Sequence, residues 1–289
     1  MRILVLSARP DTASNRRLAA AAVEAGVEID LIDATELASD STGGVLLCDR
    51  NLLTHRPEVV LARVGNWRPE SLLALLETVT AQGVPTPNPA EAIRIGRDHW
   101  RTVHILAAAG LPVPLTLAGA DPEALARAVQ HRLRFPVVVK QRRSRMGVGV
   151  ILCRSADHLE AVLDSLWRVG DEVVVQQYHD TRGSSLRLLV AGSEMVAAAR
   201  FTAADGEWRS NAARGGGVEN VELGHEVVEL ALAAARAADL GICGVDLLPT
   251  RDGMLIGELN PTPGFSALER ATGVDVARVI VDRLLEIGA

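Results

Sequence analysis

The chain has 289 residues, 48% hydrophobic and 23% charged, a globular composition with room for two or three small cores. A net charge of −6 argues against bulk attraction to nucleic acid, and an aromatic content of 3% supplies few base-stacking platforms. Cys48, Cys153 and Cys243 lack the spacing of a zinc or disulfide framework and read as small buried hydrophobes in a reducing cytosol.

The opening Met1–Ser7 run is apolar, too brief for a secretory leader, and reads as a first strand. A helix capped by Ser14 and stopped by Gly26 follows, then strands at Val27–Ile32 and Val59–Arg63 and a helix after Pro69. This alternation predicts a parallel, Rossmann-like sheet with helices on both faces, over residues 1–95. Pro85, Pro87 and Asn88-Pro89 mark a turning connection out of it. Residues 96–176 predict a helix from about Arg97 to Gly110 and a second started by Asp121 and Pro122. They continue with a strand ending at Lys140, a strand over Gly147–Leu152, a helix from Ser155 to Gly170 and a strand over Glu172–Gln176. Residues 177–289 turn antiparallel. Leu186–Val190 and Met195–Phe201 flank a hairpin turn, an alanine-rich helix covers Glu222–Leu240, and a last helix starts at Asp275. The fold class expected is α/β, becoming α+β in the C-terminal half. No apolar run reaches membrane-spanning length, so a cytoplasmic protein is expected.

The segment from Gly244 to Asn260 carries the clearest chemistry. Two apolar strands flank Asp252-Gly253, and a three-residue loop with Gly253 left-handed pairs Thr250 with Met254. That register sets Asp246 opposite Glu258, with Asn260 on the same face; a two-residue turn would shift the parity. Facing carboxylates repel unless neutralised, and a hard cation with oxygen ligands does this. Two acids on a solvated sheet face are the alternative, disfavoured because both sit inside otherwise apolar strands.

Gly147-x-Gly149 joins strand to strand, which excludes a Rossmann fingerprint or P-loop; it fits a phosphate-covering flap or an ordinary surface hairpin. Lys140 offers a point charge to the same phosphates. Arg142, Arg143 and Arg145 fit phosphate screening, an acidic substrate or a solvated basic turn, and Arg63 also points to a carboxylate-bearing substrate. Arg209, Asn211 and Arg214, followed by three glycines, suit an anion-binding loop. His99, His104 and His131 read as helix residues without nucleophile or metal spacing.

Taken in order, Lys140 before a glycine flap, Val175-Gln176-Gln177-Tyr178, Arg209-Ser210-Asn211, Arg214-Gly215-Gly216 and Asp246…Glu258-x-Asn260 resemble the ATP-grasp superfamily, most closely its RimK-like glutamate ligases. Arg63-Val64-Gly65, Arg97-Asp98 and Asn260-Pro261-Thr262-Pro263-Gly264-Phe265 extend the likeness over nearly the whole chain. The resemblance implies an ATP-grasp fold with ATP between the sheets of the central and C-terminal parts. Lys140, Arg209 and Asn211 would meet phosphate or metal, with the flap glycines Gly147 and Gly149 above them. Gln176, Gln177 and Tyr178 would lie beside adenine, and Ser185 and Arg187 also on the nucleotide. Asp246, Glu258 and Asn260 would bind Mg²⁺, with Mn²⁺ as a substitute. A substrate carboxylate would attack the γ-phosphate, and an amine would displace phosphate from the acyl phosphate with Arg209 or Arg214 stabilising the oxyanion.

The expected partners are an amino acid such as glutamate and a carboxylate-bearing acceptor: a peptide, a protein C-terminus or a small molecule. Membrane and nucleic acid are not expected, and a homo-oligomer is compatible. His99 stands where the family usually has a phosphate-binding lysine, Gln177 replaces a common glutamate, and Ser185 replaces an acid near ribose. These departures motivate the alternative of a nucleotide-binding regulator or pseudoenzyme. A ribosome- or RNA-associated protein, resting on the Arg142–Arg145 cluster, is a third reading.

Overall fold

The computed structural model describes residues 1–48, 50–143, 149–205, 207–208 and 216–289. The N-terminal part comprises β1 (Arg2–Ser7), α1 (Ala13–Glu24), β2 (Glu28–Asp33), β3 (Leu37–Ser39), β4 (Val45–Leu47), β5 (Arg50–Asn51), β6 (Val59–Arg63) and α2 (Pro69–Ala81). β2, β1 and β6 form a parallel sheet in that order, while β3 to β5 make a small antiparallel sheet not foreseen from the sequence. The apolar run of β1 follows from its position, since both faces of the central parallel strand are covered. Ile3 and Val5 pack with α1, whereas Leu4 and Leu6 pack with α2. The cap of α1 is Thr12 and not Ser14; the Thr12 hydroxyl accepts from the Asn15 amide, 3.3 Å. Ser14 lies in the first turn, buried, where its hydroxyl accepts from the Phe265 amide.

The central part comprises α3 (Ala90–Arg97), α4 (His99–Ala108), β7 (Thr116–Ala118), α5 (Pro122–Arg132), β8 (Val137–Gln141), β9 (Val150–Cys153), α6 (Ala156–Arg168) and β10 (Val173–Gln177). The single helix expected around Arg97 is two helices, because Asp98 is extended and its carboxylate caps α4 through the Trp100 and Arg101 amides. Asp121 and Ser155 cap α5 and α6 as expected. The sheet, ordered β7-β10-β8-β9, is already antiparallel, so this change comes before residue 177. α5 and α6 bury one face, taking Val137, Val139 and Val175. Alternation turns Val138, Lys140 and Gln176 to the other face.

The C-terminal part comprises β11 (Ser184–Ala191), β12 (Glu194–Thr202), β13 (Gly217–Asn220), α7 (His225–Ala237), β14 (Ile242–Thr250), β15 (Gly253–Asn260), α8 (Ser266–Thr272) and α9 (Val276–Gly288). Its antiparallel sheet runs β13-β12-β11-β14-β15. The β11–β12 hairpin turns at Gly192-Ser193, with Gly192 at φ +64°, as the sequence predicted. α7, shorter than predicted, covers one face with Ala231, Ala234 and Ala235. On the other face, Ile280, Val281 and Leu284 of α9 share a core with Leu189 and Ala197 and with Ile3, Val5 and Val59 of the first sheet. The last helix thus joins the two sheets. Asn88, 1% exposed, pins the same junction: its amide donates to the Ile242 and Pro261 carbonyls and accepts from the Ile242 amide.

Among the described residues no helix is long and apolar enough to cross a membrane. The cysteines divide: Cys153 and Cys243 are buried, but Cys48 is exposed, contrary to the sequence expectation. Burial pushes the Cys153 thiol up to about 11 and that of Cys243 up to about 12, so neither is a nucleophile near neutrality. A thiol-reactive dye is therefore expected to titrate Cys48 alone in the native chain and all three thiols after denaturation. Reaction of a second thiol without unfolding would contradict this packing.

Candidate active site

The carboxylate hairpin reaches the expected pairing by an unexpected route. β14 and β15 meet at a two-residue turn, with Thr250 opposite Gly253 and Pro249 opposite Met254. The three-residue loop of the sequence reading is absent, and uninterrupted pairing would have put Asp246 opposite Gly257. A bulge between Leu247 and Asp246 restores the parity, so that Asp246 faces Glu258 across the strands. Its signature is that Ile256 and Leu259, three residues apart, both bury in the core under α7. Gly257 is the extra residue. A Cβ there would lie 3.0 Å from Leu248 Cγ, which accounts for glycine at this position.

Arg187 on the adjacent strand β11 is paired with Asp246 and reaches it with two parallel bonds, Nε to Oδ1 at 2.6 Å and Nη2 to Oδ2 at 2.5 Å. The Asp246 charge raises the Arg187 guanidinium, which also lies over the Phe201 ring at 5.1 Å. Each Asp246 oxygen keeps a further lone pair for a cation. Among the described residues no group of three or more His, Cys, Asp or Glu side chains is placed to hold a metal. The donor set is two carboxylates and the Asn260 amide, an all-oxygen set that fits Mg²⁺ completed by phosphate and water and does not fit zinc.

These side chains open onto a cleft of about 890 Å³. Its lining includes His99, Lys140, Gln176, Gln177, Tyr178, Ser185, Arg187, Asp246, Glu258 and Asn260, all singled out in the sequence. Lys140 enters from β8; burial lowers its ammonium pKa, while the charges of Glu258 and Asp246 act to raise it. The buried Gln176 amide donates to the Thr116 hydroxyl, 2.9 Å. Gln177 is committed elsewhere: its oxygen accepts from the Arg134 amide and its nitrogen donates to the Arg134 carbonyl, both at 2.9 Å. Tyr178 meets Trp208 edge to face at 6.0 Å, and burial raises its phenol pKa.

Other predicted residues are placed differently. Gly149, at φ +69°, closes the β8–β9 connection by accepting from the Gln141 amide and does not line the cleft. Arg142 pairs with Asp98 at 2.9 Å and Glu172 at 3.2 Å, and Arg143 with Glu172 at 3.5 Å, and neither lines the cleft. Gly147, Arg145, Arg209, Asn211 and Arg214 lie outside the described residues. Sequence reasoning missed His179, Arg9, Ser7 and Asn15, all of which line the cleft. His179, next to Gln176-Gln177-Tyr178, was within reach; the other three are brought there only by tertiary packing. Arg63, buried and lining the same cleft, donates to Asn15 Oδ1 and to the Pro263 carbonyl, and burial lowers its guanidinium to about 10.

Residues 96–284 match the RimK-like ATP-grasp domain, and residues 1–93 match the RimK PreATP-grasp domain. The chain belongs to the RimK-like ATP-grasp family. It is 31% identical to a probable alpha-L-glutamate ligase of Pseudomonas fluorescens, the match covering 100% of this chain and 96% of that one. The crystal structure of a RimK domain ATP-grasp protein from Sphaerobacter thermophilus superposes with a TM-score of 0.73 at 26% identity, covering 99% of this chain and all of that one. The ATP-grasp ligase PsnB, complexed with a minimal precursor, Mg and ADP, shares the fold with a TM-score of 0.74 at 21% identity, over 99% of this chain and 98% of that one. This RimK-like chain is an ATP-dependent ligase, and its fold implies ATP and Mg²⁺.

The bulge gives a direct test of the hairpin. Gly257→Val is expected to overpack against Leu248, costing about 1–3 kcal/mol, and to slide Glu258 out of line with Asp246. A lower urea midpoint accompanied by weaker Mg²⁺-nucleotide binding is the expected pair of results; a variant unchanged in both would show that the bulge is not needed.

Proposed function

We propose that this ligase joins an amino acid, glutamate foremost, to a carboxylate-bearing acceptor by way of an acyl phosphate. The carrying observation is the facing pair Asp246 and Glu258 in one cleft with Lys140, an arrangement suited to metal-bound polyphosphate. The name of the Pseudomonas relative supports glutamate, and the precursor complex of PsnB supports a peptide as acceptor. Mg²⁺, or Mn²⁺ in its place, would be held by Asp246, Glu258 and Asn260 and would neutralise phosphate charge. Lys140 binds phosphate oxygens, with His99 donating where relatives carry lysine. Gln176, the Gln177 backbone and Tyr178 flank adenine, and Ser185 meets ribose. Arg187 orients Asp246 through its two bonds. Arg209, Asn211 and Arg214 serve phosphate and oxyanion on the strength of the sequence alone. The work is divided among residues 1–95, 96–176 and 177–289, in the cytoplasm, where ATP and Mg²⁺ are supplied.

In the first step an acceptor carboxylate oxygen bonds to the γ-phosphorus of ATP and ADP leaves. In the second the amine nitrogen attacks the acyl carbon, phosphate departs, and the nitrogen loses a proton to give the amide. Neither step asks for a protein nucleophile, and positioning with charge neutralisation carries both. Incubation with ATP, Mg²⁺, the amino acids and cell extract is expected to yield an amino-acid-extended product by mass spectrometry, with matching phosphate release. Asp246→Asn and Glu258→Gln should each lower turnover by about 100-fold or more. Full turnover in either variant refutes the metal assignment, and saturable nucleotide binding without any product would instead favour a regulator on this fold.

A further inference from the structure

The N-terminal sheet presents a crevice to this cleft. The chain leaves β1 for β2 on one side and returns for β6 on the other, so the β1–α1 and β6–α2 connections diverge between β1 and β6. In open parallel sheets ligands bind outside the carboxyl ends of the strands at such a switch point. Here Ser7 at the end of β1, followed by Arg9 and Thr12, and Arg63 at the end of β6, followed by Asn66, line the same cleft as Asp246 and Glu258.

Arg63 is the unusual member. It pairs with Ser7 on the last rung of the parallel ladder and is only 8% exposed. Its contacts are neutral: Asn15 Oδ1 and the Pro263 carbonyl, each at 3.0 Å, and the Phe265 ring at 5.8 Å. Among the described residues no carboxylate pairs with it, although most other arginines packed in this chain have one. The acidic residues lining the cleft, Asp246 and Glu258, both come from the C-terminal hairpin, and none comes from the N-terminal wall. A buried guanidinium without a counter-ion is costly, and the cost is removed when a ligand brings the missing charge. The Asn15 amide, itself held by Ser7 Oγ and the Arg9 carbonyl, fixes the guanidinium at Nε and leaves the Nη2 edge for a planar anion.

We propose that this crevice is a carboxylate subsite in which Arg63 receives a non-reacting carboxylate of one of the two substrates. The proposal rests on the ligase reading above and refines it. The acceptor carboxylate that is activated belongs beside the metal ligands, so the group at Arg63 is a second carboxylate. Either it is the amine component's own, or it is carried by the acceptor away from the bond being made.

Calorimetry on the full chain loaded with Mg²⁺ and a non-hydrolysable ATP analogue separates these sources. The probes are L-glutamate, N-acetyl-L-glutamate with its amine blocked, and the diamide of L-glutamate with both carboxylates removed. Arg63→Gln is expected to weaken one carboxylate probe by about 30-fold or more, while nucleotide affinity stays within about twofold. Loss confined to L-glutamate assigns the subsite to the amine component; loss of N-acetyl-L-glutamate assigns it to the acceptor. The diamide is expected to discriminate little between the two proteins. Arg63→Lys keeps the charge without the planar fork and should fall between them, and it supplies the comparison should Arg63→Gln not fold. Equal affinity of the carboxylate probes for wild type and variants, with nucleotide still bound, overturns the subsite alone, as does failure of every carboxylate probe to bind wild type. Failure of the wild type to bind nucleotide removes the ligase reading and the subsite with it.

Discussion

Two carboxylates held face to face on neighbouring strands govern the rest of this structure. Asp246 and Glu258 oppose each other across β14 and β15, a pairing that destabilises a sheet unless positive charge is supplied. The fold supplies it from two directions. Arg187 clamps Asp246 from within the same sheet, and Lys140 approaches from the central sheet across the cleft. The oxygen lone pairs that these contacts leave unused face the cleft. The hairpin is also fixed at its base, where Asn88 bonds both Ile242 at the start of β14 and Pro261 after β15.

The same logic orders the cleft walls. Negative charge comes from the C-terminal hairpin, Lys140 comes from the central sheet, and the N-terminal wall offers Arg9 and Arg63. The central sheet is tied to the rest at the α3–α4 junction. Burial raises the Asp98 carboxyl, but the Arg142 bond and the Arg101 and Trp100 amides outweigh it and hold the group below its ordinary range. The Arg142 carbonyl also accepts from the His99 amide, which joins the end of β8 to the start of α4. This contact between segments 44 positions apart places His99 and Lys140 along the same cleft.

Much of this was legible in the sequence, and the reasons for the exceptions are local. Apolar runs bounded by caps gave β1, β6, α5, α6 and α9, because burial on both faces or on one stripe leaves a periodic trace. Asp98 was not read as a helix boundary, since a carboxylate that caps through its own side chain looks the same in sequence as one on a helix surface. The facing of Asp246 and Glu258 was anticipated through the wrong turn; a bulge at Gly257 compensates the missing loop residue, and only backbone pairing reveals it. Arg142 was indistinguishable from a ligand-binding arginine until Asp98, 44 positions away, was brought against it. Arg9, Ser7 and Asn15 carry no motif of their own and acquire meaning only from the divergence of two loops at the edge of a sheet.

The departures from the family pattern also look different in three dimensions. Gln177, where a glutamate is common, uses its amide as donor and acceptor to the Arg134 backbone at once. A carboxylate could accept from that amide but would repel the facing carbonyl, so glutamine at this position fits its own surroundings and is not evidence of a decayed site. The backbone of Gln177 stays in the sheet, its amide bonded to the Leu115 carbonyl, while Tyr178 and Trp208 supply aromatic surface beside it. The substitution therefore changes how the strand is anchored more than what it presents, and the intact carboxylate pair, not this strip, is where loss of chemistry would have to appear.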